Sequence, residues 1–428
     1  MSKTKPLKGE ITVPGDKSIS HRAVMIGSLS TGTTTVNNFL QGEDCIATIN
    51  AFRQMGINIE NDPKDKKVTI HGKGLSGLIK PCKAIDVGNS GTTIRILSGI
   101  LCGQTFDSII TGDDSIKTRP MNRIINPLTK MAGKIKSMSN NGLPPLKIIN
   151  RGNSSLQGIT YNSPVASAQV KSSILMAGLY ADDKTKVIEP SLSRNHTELM
   201  LENFGANIFQ EGAITTIEAE PKLVGQNVNI PGDISSAAYF IVAGLIVSGS
   251  SLLIKNVGIN PTRDGIIEVC QNMGGKVALE NIRYRNMEKV ADIYVEYSNL
   301  KGTEIAGSII PRLIDELPVI AIMACFAKGK TIIKDASELM VKETNRIEVM
   351  VSNLSKLGAN ITATSDGMII EGEKTLHADT IDSIGDHRIA MSFAIANLMT
   401  RDKINILGNE CVNISYPGFF KDLNSLTF

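Results

Sequence analysis

One pattern recurs six times along this chain of 428 residues. Each copy has a short polar, glycine-rich start that leads directly into a run of small and apolar residues. Consecutive copies lie roughly 70 to 80 residues apart, and such a period marks repeated supersecondary units. The six starts are at Pro14, Val87, Pro164, Pro231, Ile314 and Ile384. The repeat therefore predicts a series of similar units rather than one continuous domain.

A second pattern follows each of the first five starts after about forty residues, in phase with the first. An amphipathic helical stretch ends there at a glycine, and a strand with alternating apolar residues begins. These five points are at Gln54, Lys130, Asn203, Asn272 and Lys356. Because β-branched runs lie between the two patterns, one unit is predicted to contain helix, strand, helix, strand and a further strand. Six such α/β units account for nearly all of the chain, although the last segment, FFKDLNSLTF, is too short for a complete sixth copy.

The two most similar starts are GDKS at Gly15 and GDIS at Gly232, about half the chain apart. Each belongs to a Pro-Gly-Asp sequence, which is a turn signal. We therefore predict two domains of three units, with the chain crossing between them at these turns. Residues 1–14 and 233–428, including an N-terminal strand, are predicted to form one domain, and residues 15–232 the other.

Composition limits the classes of protein to which this chain can belong. Hydrophobic residues make up 42% and charged residues 20%, which is typical of a soluble globular protein. The formal net charge is only +3 and tryptophan is absent, which argues against a dedicated nucleic-acid binder. The longest apolar run, residues 237–247, is well below the roughly 20 residues that span a bilayer, and the N-terminal segment lacks the apolar core of a secretory signal. We expect a cytoplasmic monomer that binds neither membrane nor nucleic acid.

Cysteine spacing and nucleotide motifs argue against a metal or cofactor. The six cysteines include no CxxC pair, and no histidine or carboxylate set has metal-ligand spacing. Neither a Walker loop nor a dinucleotide-binding GxGxxG is present. Any bound anion is therefore expected at a few local cationic sites.

The polar starts are candidate anion sites, because each precedes an apolar helix whose free backbone N–H groups and dipole favour negative charge. Several starts carry cations within one turn, together with polar neighbours: Lys17, Ser18 and Arg22 in the first; Asn89, Ser90, Gly91, Thr92 and Arg95 in the second; Ser167, Gln169 and Lys171 in the third; His387 and Arg388 in the last. The fourth start has no cation, so we expect a structural or hinge role for it.

The fifth start carries carboxylates instead. Asp315 and Glu316 precede Leu317-Pro318, and proline is favoured at the beginning of a helix. Helix caps are the ordinary interpretation of such a pair. Because Asp315 occupies the repeat position where other units carry anion-binding groups, it is also a candidate general base.

Two further segments carry clustered charges. Lys342 and Arg346 are four residues apart and are predicted to share a helix face, with Glu343 between them. Arg119 directly precedes Pro120 at a predicted helix start. Taken alone, these are an ordinary ion-paired surface and a solvated arginine. The anion sites make both segments candidates for substrate binding.

In its motifs the chain resembles the 3-phosphoshikimate 1-carboxyvinyltransferases, or EPSP synthases. GDKSISHR, GNSGTTIR, TRPM, SAQVKS, SRNHTE, PGDISSAA, NPTR, DELP and GDHRIAM occur in the family's order over essentially the whole chain. The forms of GDKS, SAQVK, RNHTE and NPTR resemble the class II, glyphosate-tolerant branch. The resemblance implies an α/β fold of two domains, each with three βαβαββ units whose helix N-termini face an interdomain cleft. It also implies transfer of an enolpyruvyl group from phosphoenolpyruvate to shikimate 3-phosphate through a tetrahedral intermediate, in aromatic amino acid biosynthesis.

The resemblance also implies roles for individual residues. Residues matched to shikimate 3-phosphate binding are Lys17, Ser18, Arg22, Ser167, Ala168, Gln169, Ser193, Asp315 and Lys342. Residues matched to phosphoenolpyruvate binding are Lys17, Gly91, Arg119, Gln169, Arg346 and Arg388. Asp315 is expected to take the proton of the 5-hydroxyl group, Glu343 to protonate the methylene carbon, and Lys17 to assist catalysis. The resemblance implies no metal and no cofactor.

Two positions depart from the family pattern. Asn345 stands where many members have Asp, and Ile414 stands where some have a lysine before Ser415-Tyr416-Pro417. Phosphoenolpyruvate therefore loses one possible cation.

Two alternatives remain open at the level of sequence. The sister transferase that acts on UDP-N-acetylglucosamine typically has a Gly-Ala-Lys-Asn motif and a loop cysteine, whereas this chain has GDKS and no cysteine in residues 111–120. A repeat-built clamp around nucleic acid would need basic helix faces, whereas the cations here gather at repeat starts.

Overall fold

The structure, a computed structural model, describes residues 5–152, 154–373 and 375–426. Residues 1–4 and 427–428 of the predicted 1–14 and 233–428 domain lie outside these ranges. Residues 1–4 are also the start of the N-terminal segment that was compared with a secretory signal. The chain divides into two compact units. Unit 1 comprises Met1–Pro14, Pro231–Tyr284 and Lys289–Phe428, and unit 2 comprises Gly15–Ile230 and Arg285–Glu288.

The chain begins with a strand of unit 1 and then runs through three α/β repeats of unit 2. The strands and helices of this part are β1 (Lys8–Ile11), α1 (Lys17–Leu29), β2 (Thr31–Asn37), α2 (Glu43–Gln54), β3 (Asn58–Asp62), β4 (Lys67–Lys73), β5 (Ile85–Asp86), α3 (Gly91–Cys102), β6 (Ser108–Thr111), α4 (Asp114–Lys117), α5 (Asn122–Lys130), β7 (Ile135–Ser137), β8 (Leu146–Ile148), β9 (Thr160–Asn162), α6 (Ala168–Gly178), β10 (Thr185–Ile188), α7 (His196–Asn203), β11 (Ile208–Glu211), β12 (Ile214–Ile217) and β13 (Asn227–Asn229).

The remainder of unit 1 contains three more repeats. They consist of α8 (Ile234–Ile246), β14 (Ser251–Gly258), α9 (Gly265–Asn272), β15 (Lys276–Arg285), β16 (Glu288–Glu296), β17 (Glu304–Ile305), α10 (Ile310–Leu313), α11 (Leu317–Cys325), β18 (Lys330–Ile333), α12 (Arg346–Lys356), β19 (Asn360–Ala363), β20 (Met368–Glu371), β21 (Thr380–Asp382), α13 (His387–Ala396), β22 (Asn405–Leu407) and α14 (Phe419–Ser425). Short 3₁₀ helices occupy residues 307–309, 337–341, 397–399 and 409–414.

Each complete repeat forms a four-stranded mixed sheet. In the order β5-β6-β8-β7, for example, β5 is parallel to β6, and the β7–β8 hairpin is added antiparallel on the other side. The same order recurs in β9-β10-β12-β11 and β17-β18-β20-β19. These repeats are βαβαββ units, which confirms the predicted α/β fold class.

Two repeats obtain their first strand from a distant part of the chain. Strand β1 pairs in parallel with β14, and β13 pairs in parallel with β2. The turn at Pro14-Gly15 connects β1 to α1, and the turn at Pro231-Gly232 connects β13 to α8. A Cβ atom on Gly15 would lie 1.9 Å from the Asn38 carbonyl oxygen, so this turn requires glycine.

The sixth repeat is shorter among the described residues. Its sheet contains only β21 and β22, which are parallel. Helix α14 follows, and its Phe419 ring packs edge-on against Tyr239 and Tyr416. Helix α14 thus contributes an aromatic side chain to the hydrophobic core of unit 1.

The helix that follows each repeat start is largely buried. Every residue of α8 and of α11 is buried, as expected for helices that are apolar on all sides. In unit 2, α3 and α6 approach closely at Gly99, where a Cβ atom would lie 2.0 Å from the Ser173 carbonyl oxygen. Polar side chains are therefore concentrated at the helix N-termini. No helix in the described part of the chain is long and apolar enough to cross a membrane.

Candidate active site

In unit 2, Lys17 begins the first repeat helix and is paired with a carboxylate. Asp16 caps α1 by accepting a 2.9 Å hydrogen bond from the Ile19 backbone N–H group. Lys17 Nζ forms an ion pair with Asp44 of α2, which is buried. Asp44 was not predicted, and it fixes where the ammonium group lies.

Arg22 is a buried cation held by neutral groups. Its guanidinium donates to Thr197 Oγ1 at 2.6 Å, to Ser172 Oγ at 2.9 Å and to the Ser18 carbonyl oxygen at 2.9 Å. Burial lowers the pKa of Arg22 to about 10, so the group is still charged at neutral pH. No carboxylate among the described residues forms a salt bridge with it, so a bound anion would be favoured nearby.

Two serines predicted to bind substrate phosphate share one buried carboxylate. Glu189 accepts from the Ser167 backbone N–H at 3.1 Å and from the Ser193 backbone N–H at 3.3 Å. Lys171 Nζ lies 2.8 Å from Glu189 and 2.8 Å from Glu198. Two internal carboxylates thus already neutralise the charge of Lys171, which favours a structural role for this predicted cation.

Gly91 lies against two arginines at the start of α3. Ser90 caps this helix by accepting from the Thr93 N–H at 3.1 Å. A Cβ atom on Gly91 would lie 2.9 Å from Arg119 Nη1 and 3.4 Å from Arg95 Nη1. The absence of a side chain at position 91 therefore leaves room for the Arg119 guanidinium.

Gln169 connects the starts of α3 and α6. Its Nε2 donates to Thr92 Oγ1 at 3.1 Å, and its Oε1 accepts from Arg95 Nη1. Ala168 is the preceding residue, at the first position of α6. Together with the Arg22–Ser172 bond, these contacts join the first three repeat starts within unit 2.

The sequence predicts that Arg119 lies at a helix start, and this prediction is wrong because α5 begins only at Asn122. It lies in the loop after α4, where its Nη2 donates to Asn89 Oδ1 at 2.8 Å and to Ser115 Oγ at 3.1 Å. Asn89 in turn donates to Asp113 at 2.8 Å. Loop contacts rather than a helix therefore orient this buried guanidinium.

A chain of hydroxyl groups lies behind these helix starts. Thr48 Oγ1 lies 2.7 Å from His21 Nδ1 and 2.7 Å from Thr93 Oγ1. Thr93 Oγ1 donates to Ser90 Oγ at 2.7 Å. This chain connects α1, α2 and the cap of α3.

In unit 1, three cations surround Asp315. Its Oδ1 lies 3.2 Å from Arg346 Nη1 and 3.4 Å from Lys342 Nζ, and its Oδ2 lies 3.8 Å from Arg388 Nη2. Asp315 directly precedes Glu316, the N-cap position of α11, whose first turn contains proline as predicted. The fifth, sixth and intervening polar segments thus meet within unit 1.

Lys342 and Arg346 do not share a helix face, so that prediction is wrong. Helix α12 begins at Arg346, and Lys342 follows the 3₁₀ helix of residues 337–341 in an extended conformation. Asn345 caps α12, accepting from the Glu348 N–H at 3.4 Å. Both cations nevertheless reach Asp315, because the extended segment directs Lys342 toward it.

Arg346 is held by further carboxylates. Its Nε donates to Asp386 Oδ2 at 2.8 Å, and its Nη2 donates to Glu343 Oε2 at 2.5 Å. Burial alone would lower the pKa of Arg346, but the carboxylates, Asp386 foremost, raise it. The same balance raises the pKa of Arg388, with Asp315 as its main partner. Both arginines therefore remain charged, and His387 is buried beside them at the start of α13.

An arginine from another segment lies at the fourth start, although the start itself contains no cation. Arg263 Nη2 donates to Ser235 Oγ at 2.7 Å and lies 3.3 Å from Asp233. Glu316 lies 3.6 Å from the same nitrogen. Because Arg263 is buried and paired with these groups, its place is consistent with the predicted structural role.

Sequence reasoning missed the carboxylates that orient the cations. Asp386 caps α13 and also binds Arg346, and the repeated Gly-Asp at positions 15–16, 232–233 and 385–386 could have indicated it. Nothing in the sequence near Lys17 or Ser193 indicated Asp44 or Glu189. Ile414 lies in the 3₁₀ helix of residues 409–414. No cluster of metal-ligating side chains occurs among the described residues.

Comparison with known proteins identifies the family. Residues 1–423 match the family described as EPSP synthase (3-phosphoshikimate 1-carboxyvinyltransferase). The chain is 57% identical over 426 residues to the 3-phosphoshikimate 1-carboxyvinyltransferase of Thermoanaerobacter sp. (strain X514), with 100% of this chain and 99% of that protein covered. The Bacillus subtilis protein of the same name is 50% identical, with 99% and 98% covered.

Solved structures show the same similarity. An EPSP synthase from Acinetobacter baumannii matches with a TM-score of 0.89 and 46% identity, covering 100% of this chain and 97% of that one. The enolpyruvyl transferase NikO from Streptomyces tendae shares the fold, with a TM-score of 0.80 at 15% identity and coverage of 99% and 96%. With the repeat motifs and the cationic helix starts, these matches show that the chain belongs to the EPSP synthase family.

Proposed function

We propose that this protein transfers the enolpyruvyl group of phosphoenolpyruvate to the 5-hydroxyl group of shikimate 3-phosphate and releases phosphate. This is the reaction of its family, and it belongs to the shikimate pathway of aromatic amino acid biosynthesis. The observation that supports this proposal most strongly is the position of Asp315 among Lys342, Arg346 and Arg388. A carboxylate held near three cations can accept a proton beside an anionic substrate.

Shikimate 3-phosphate is proposed to bind mainly through the starts of α1 and α6. Ser167, Ala168 and Ser193 would hold its phosphate, while Lys17, Ser18 and Arg22 would contact the rest of the molecule. Arg22 supports this role, since its charge is buried and not paired with a carboxylate. Gln169, Asp315 and Lys342 complete the proposed set.

Phosphoenolpyruvate is proposed to bind the arginines and the glycine at the second repeat start. Its phosphate and carboxylate groups need several cations, and the planar guanidinium binds oxyanions two atoms at a time. The proposed ligands are Lys17, Gly91, Arg119, Gln169, Arg346 and Arg388. Because a Cβ atom at position 91 would lie only 2.9 Å from Arg119 Nη1, glycine at this position leaves the guanidinium the space that it needs.

The proposed chemistry is addition followed by elimination. The 5-hydroxyl oxygen attacks C2 of phosphoenolpyruvate and its proton passes to Asp315, while C3 gains a proton from Glu343. The resulting tetrahedral intermediate then returns a proton from its methyl group to the Glu343 carboxylate and loses phosphate from C2. Arg346 contacts both Asp315 and Glu343, so it can stabilise the charges of both during proton transfer. Lys17 is proposed to offset charge on the substrates as the phosphate leaves.

We infer that the protein acts in the cytoplasm as a monomer, without a metal or cofactor. The proposed steps require only the side chains named above, and the described cysteines are free thiols.

Steady-state release of phosphate tests the proposal. Phosphoenolpyruvate with shikimate 3-phosphate should give rapid release, and phosphoenolpyruvate with UDP-N-acetylglucosamine should give none. Activity only with the sugar nucleotide would support the sister transferase instead. Absence of both activities, together with tight nucleic-acid binding, would support the clamp alternative.

A further inference from the structure

A buried carboxylate lies behind the serines proposed to bind phosphate. Glu189 directly follows β10 and is 5% exposed. Its Oε1 accepts from the Ser167 N–H and its Oε2 from the Ser193 N–H. One side chain therefore fixes the backbone positions of two residues that are distant in sequence.

Lys171 supplies the opposite charge. It lies one turn after Ser167 on α6, is 1% exposed, and its Nζ donates to the Ser193 carbonyl oxygen at 3.3 Å. A buried carboxylate is costly unless it is paired and hydrogen-bonded, and Lys171 with the two backbone N–H groups meets both conditions for Glu189.

The arrangement determines which groups remain for a ligand. Both backbone N–H groups are occupied by Glu189, so neither is available to a substrate anion. Ser193 Oγ, in contrast, is buried and has no hydrogen-bond partner among the described residues. A phosphate bound here would thus be held by serine hydroxyl groups whose separation is fixed from behind.

We propose that Glu189 is a positioning residue for the phosphate of shikimate 3-phosphate, which it serves by fixing Ser167 and Ser193 without contacting the substrate. The proposal rests on the proposed function, since it requires that shikimate 3-phosphate be the ligand. Glutamine cannot replace Glu189 fully. Its carbonyl oxygen can accept from one N–H group, whereas its NH₂ group would face either the other N–H or Lys171, and both are donors.

Glu198 offers a matched control within the same cluster. It is also buried and pairs with Lys171, but it accepts no hydrogen bond from the backbone of either serine. Glu189→Gln and Glu198→Gln therefore each remove one carboxylate charge from Lys171, and only the first also removes a hydrogen-bond acceptor from the Ser167 and Ser193 backbone N–H groups.

Calorimetric titration with shikimate 3-phosphate distinguishes these roles. We expect Glu189→Gln to raise the dissociation constant about tenfold or more, and Glu198→Gln to raise it by less than about threefold. At saturating shikimate 3-phosphate, the KM for phosphoenolpyruvate should change by less than about threefold in both variants. Inhibition by shikimate, which lacks the phosphate, should also be unchanged. A loss of stability in both variants is expected and does not affect this comparison.

A second variant covers the case in which Glu189→Gln does not fold. Glu189→Asp keeps the charge and the Lys171 pair but withdraws the carboxylate by one methylene group, so it should fold and still weaken shikimate 3-phosphate binding. Equal affinity losses in Glu189→Gln and Glu198→Gln, or wild-type affinity in Glu189→Asp, would overturn the proposal. Inactivity of the wild-type protein would instead count against the proposed function.

Discussion

At the scale of single residues, the site depends on which charges are paired within the protein. Arg22 has no carboxylate partner among the described residues, whereas Arg346 contacts Asp315, Glu343 and Asp386. The first arrangement favours a bound anion, and the second fixes a guanidinium among groups that exchange protons. The two arginines therefore have different roles, although both are buried.

Asp315 is expected to be essential for proton transfer but not for binding. Asp315→Asn keeps the size of the side chain and removes the base, so kcat should fall about 10²-fold or more. Affinity for shikimate 3-phosphate should change only a few-fold. Steady-state kinetics with calorimetry would measure both, with the exposed Glu348→Gln as a control that keeps full activity. Near-normal turnover of Asp315→Asn would remove Asp315 from the mechanism.

Gly91 is expected to tolerate no side chain without a cost to phosphoenolpyruvate binding. The added methyl group of Gly91→Ala would lie 2.9 Å from Arg119 Nη1, so the guanidinium must move. One methyl group in a binding pocket is worth about 1–3 kcal/mol, so the KM for phosphoenolpyruvate should rise about 10- to 200-fold if the displaced guanidinium binds it. The KM for shikimate 3-phosphate serves as the internal control. An unchanged KM for phosphoenolpyruvate would show that Arg119 does not bind it.

The wild-type protein is expected to resist glyphosate while binding phosphoenolpyruvate, as its class II motifs predict. Glyphosate is longer than phosphoenolpyruvate, so a slightly shallower pocket can exclude it at a cost of about 1–3 kcal/mol. Since position 91 is already glycine, the exclusion must come from its neighbours, with the Arg119 loop and Ala168 as candidates. Competitive inhibition by low micromolar glyphosate would contradict this prediction.

At the scale of the secondary-structure elements, the repeat helices are aligned by hydroxyl groups. Thr48 of α2 bonds to His21 of α1 and to Thr93 of α3, so its loss breaks two connections at once. Thr48→Val keeps the shape but leaves buried polar groups unpaired, at a cost of about 1–3 kcal/mol. Because Thr93 also bonds to Ser90, the cap of α3 beside Gly91, Thr48→Val should raise the KM for phosphoenolpyruvate several-fold. Thr48→Ser should restore both the stability and the KM. An unchanged KM for phosphoenolpyruvate in Thr48→Val would show that these hydroxyl groups stabilise the fold but do not affect substrate binding.

His21 makes the stability of the fold depend on pH. Burial lowers its pKa well below the ordinary value of 6.5, with Lys17 and Arg22 adding to the effect. Below that value the unfolded chain binds a proton that the folded protein does not, so the free energy of unfolding falls as the pH falls.

Denaturant unfolding at pH 7.5 and pH 5.5 tests this dependence. We expect His21→Gln to lose part of the pH effect, by up to about 1.4 kcal/mol for each pH unit in the window. The exposed His377→Gln should behave like the wild-type protein. An identical pH dependence in His21→Gln and wild type would contradict the prediction.

Most positions of the helices and strands could be predicted from sequence, whereas one helix start and the ion-pair partners could not. The glycine and proline signals placed the starts of α8 and α11 correctly, because turns and helix starts depend on nearby residues. The start of α12 was missed, since Asn345 interrupts an otherwise helical pattern by capping. The partners Asp44, Glu189 and Asp386 were missed because packing between distant segments decides which carboxylate meets which cation.

At the scale of the whole molecule, the exchange of first strands determines which part of the chain can fold alone. Residues 15–230 contain all strands of three sheets, including β13, and a hydrophobic core of their own. Residues 231–428 lack β1 and would leave β14 with an unpaired edge.

We therefore expect the two fragments to behave differently. Residues 15–230 should unfold cooperatively, although with lower stability, because His196 loses its 2.6 Å contact with Glu288. Residues 231–428 should aggregate unless residues 5–14 are supplied as a peptide or joined by a linker. Circular dichroism during thermal unfolding would compare them, and equal folding of both fragments would show that β1 contributes little.

The repeat count could be predicted from sequence because one pattern recurs six times and a second follows the first five copies in phase. The Pro-Gly-Asp turns at Gly15 and Gly232, and not the repeat itself, predict where the chain crosses between domains. The four-residue segment Arg285–Glu288, which belongs to unit 2, could not be predicted. Its place depends on the length of the β15–β16 hairpin and on the buried His196–Glu288 contact, and neither has a signal in the repeat.

The central claim, enolpyruvyl transfer by addition and elimination, is tested most directly by the product formed in D₂O. Shikimate 3-phosphate and phosphoenolpyruvate should give one phosphate for each 5-enolpyruvylshikimate 3-phosphate, with deuterium in part of the product's methylene groups. Deuterium enters because C3 is protonated and deprotonated on the way through the tetrahedral intermediate. Mass spectrometry would detect both the product and its label. Release of pyruvate in place of phosphate, or a product without deuterium, would contradict the proposed mechanism.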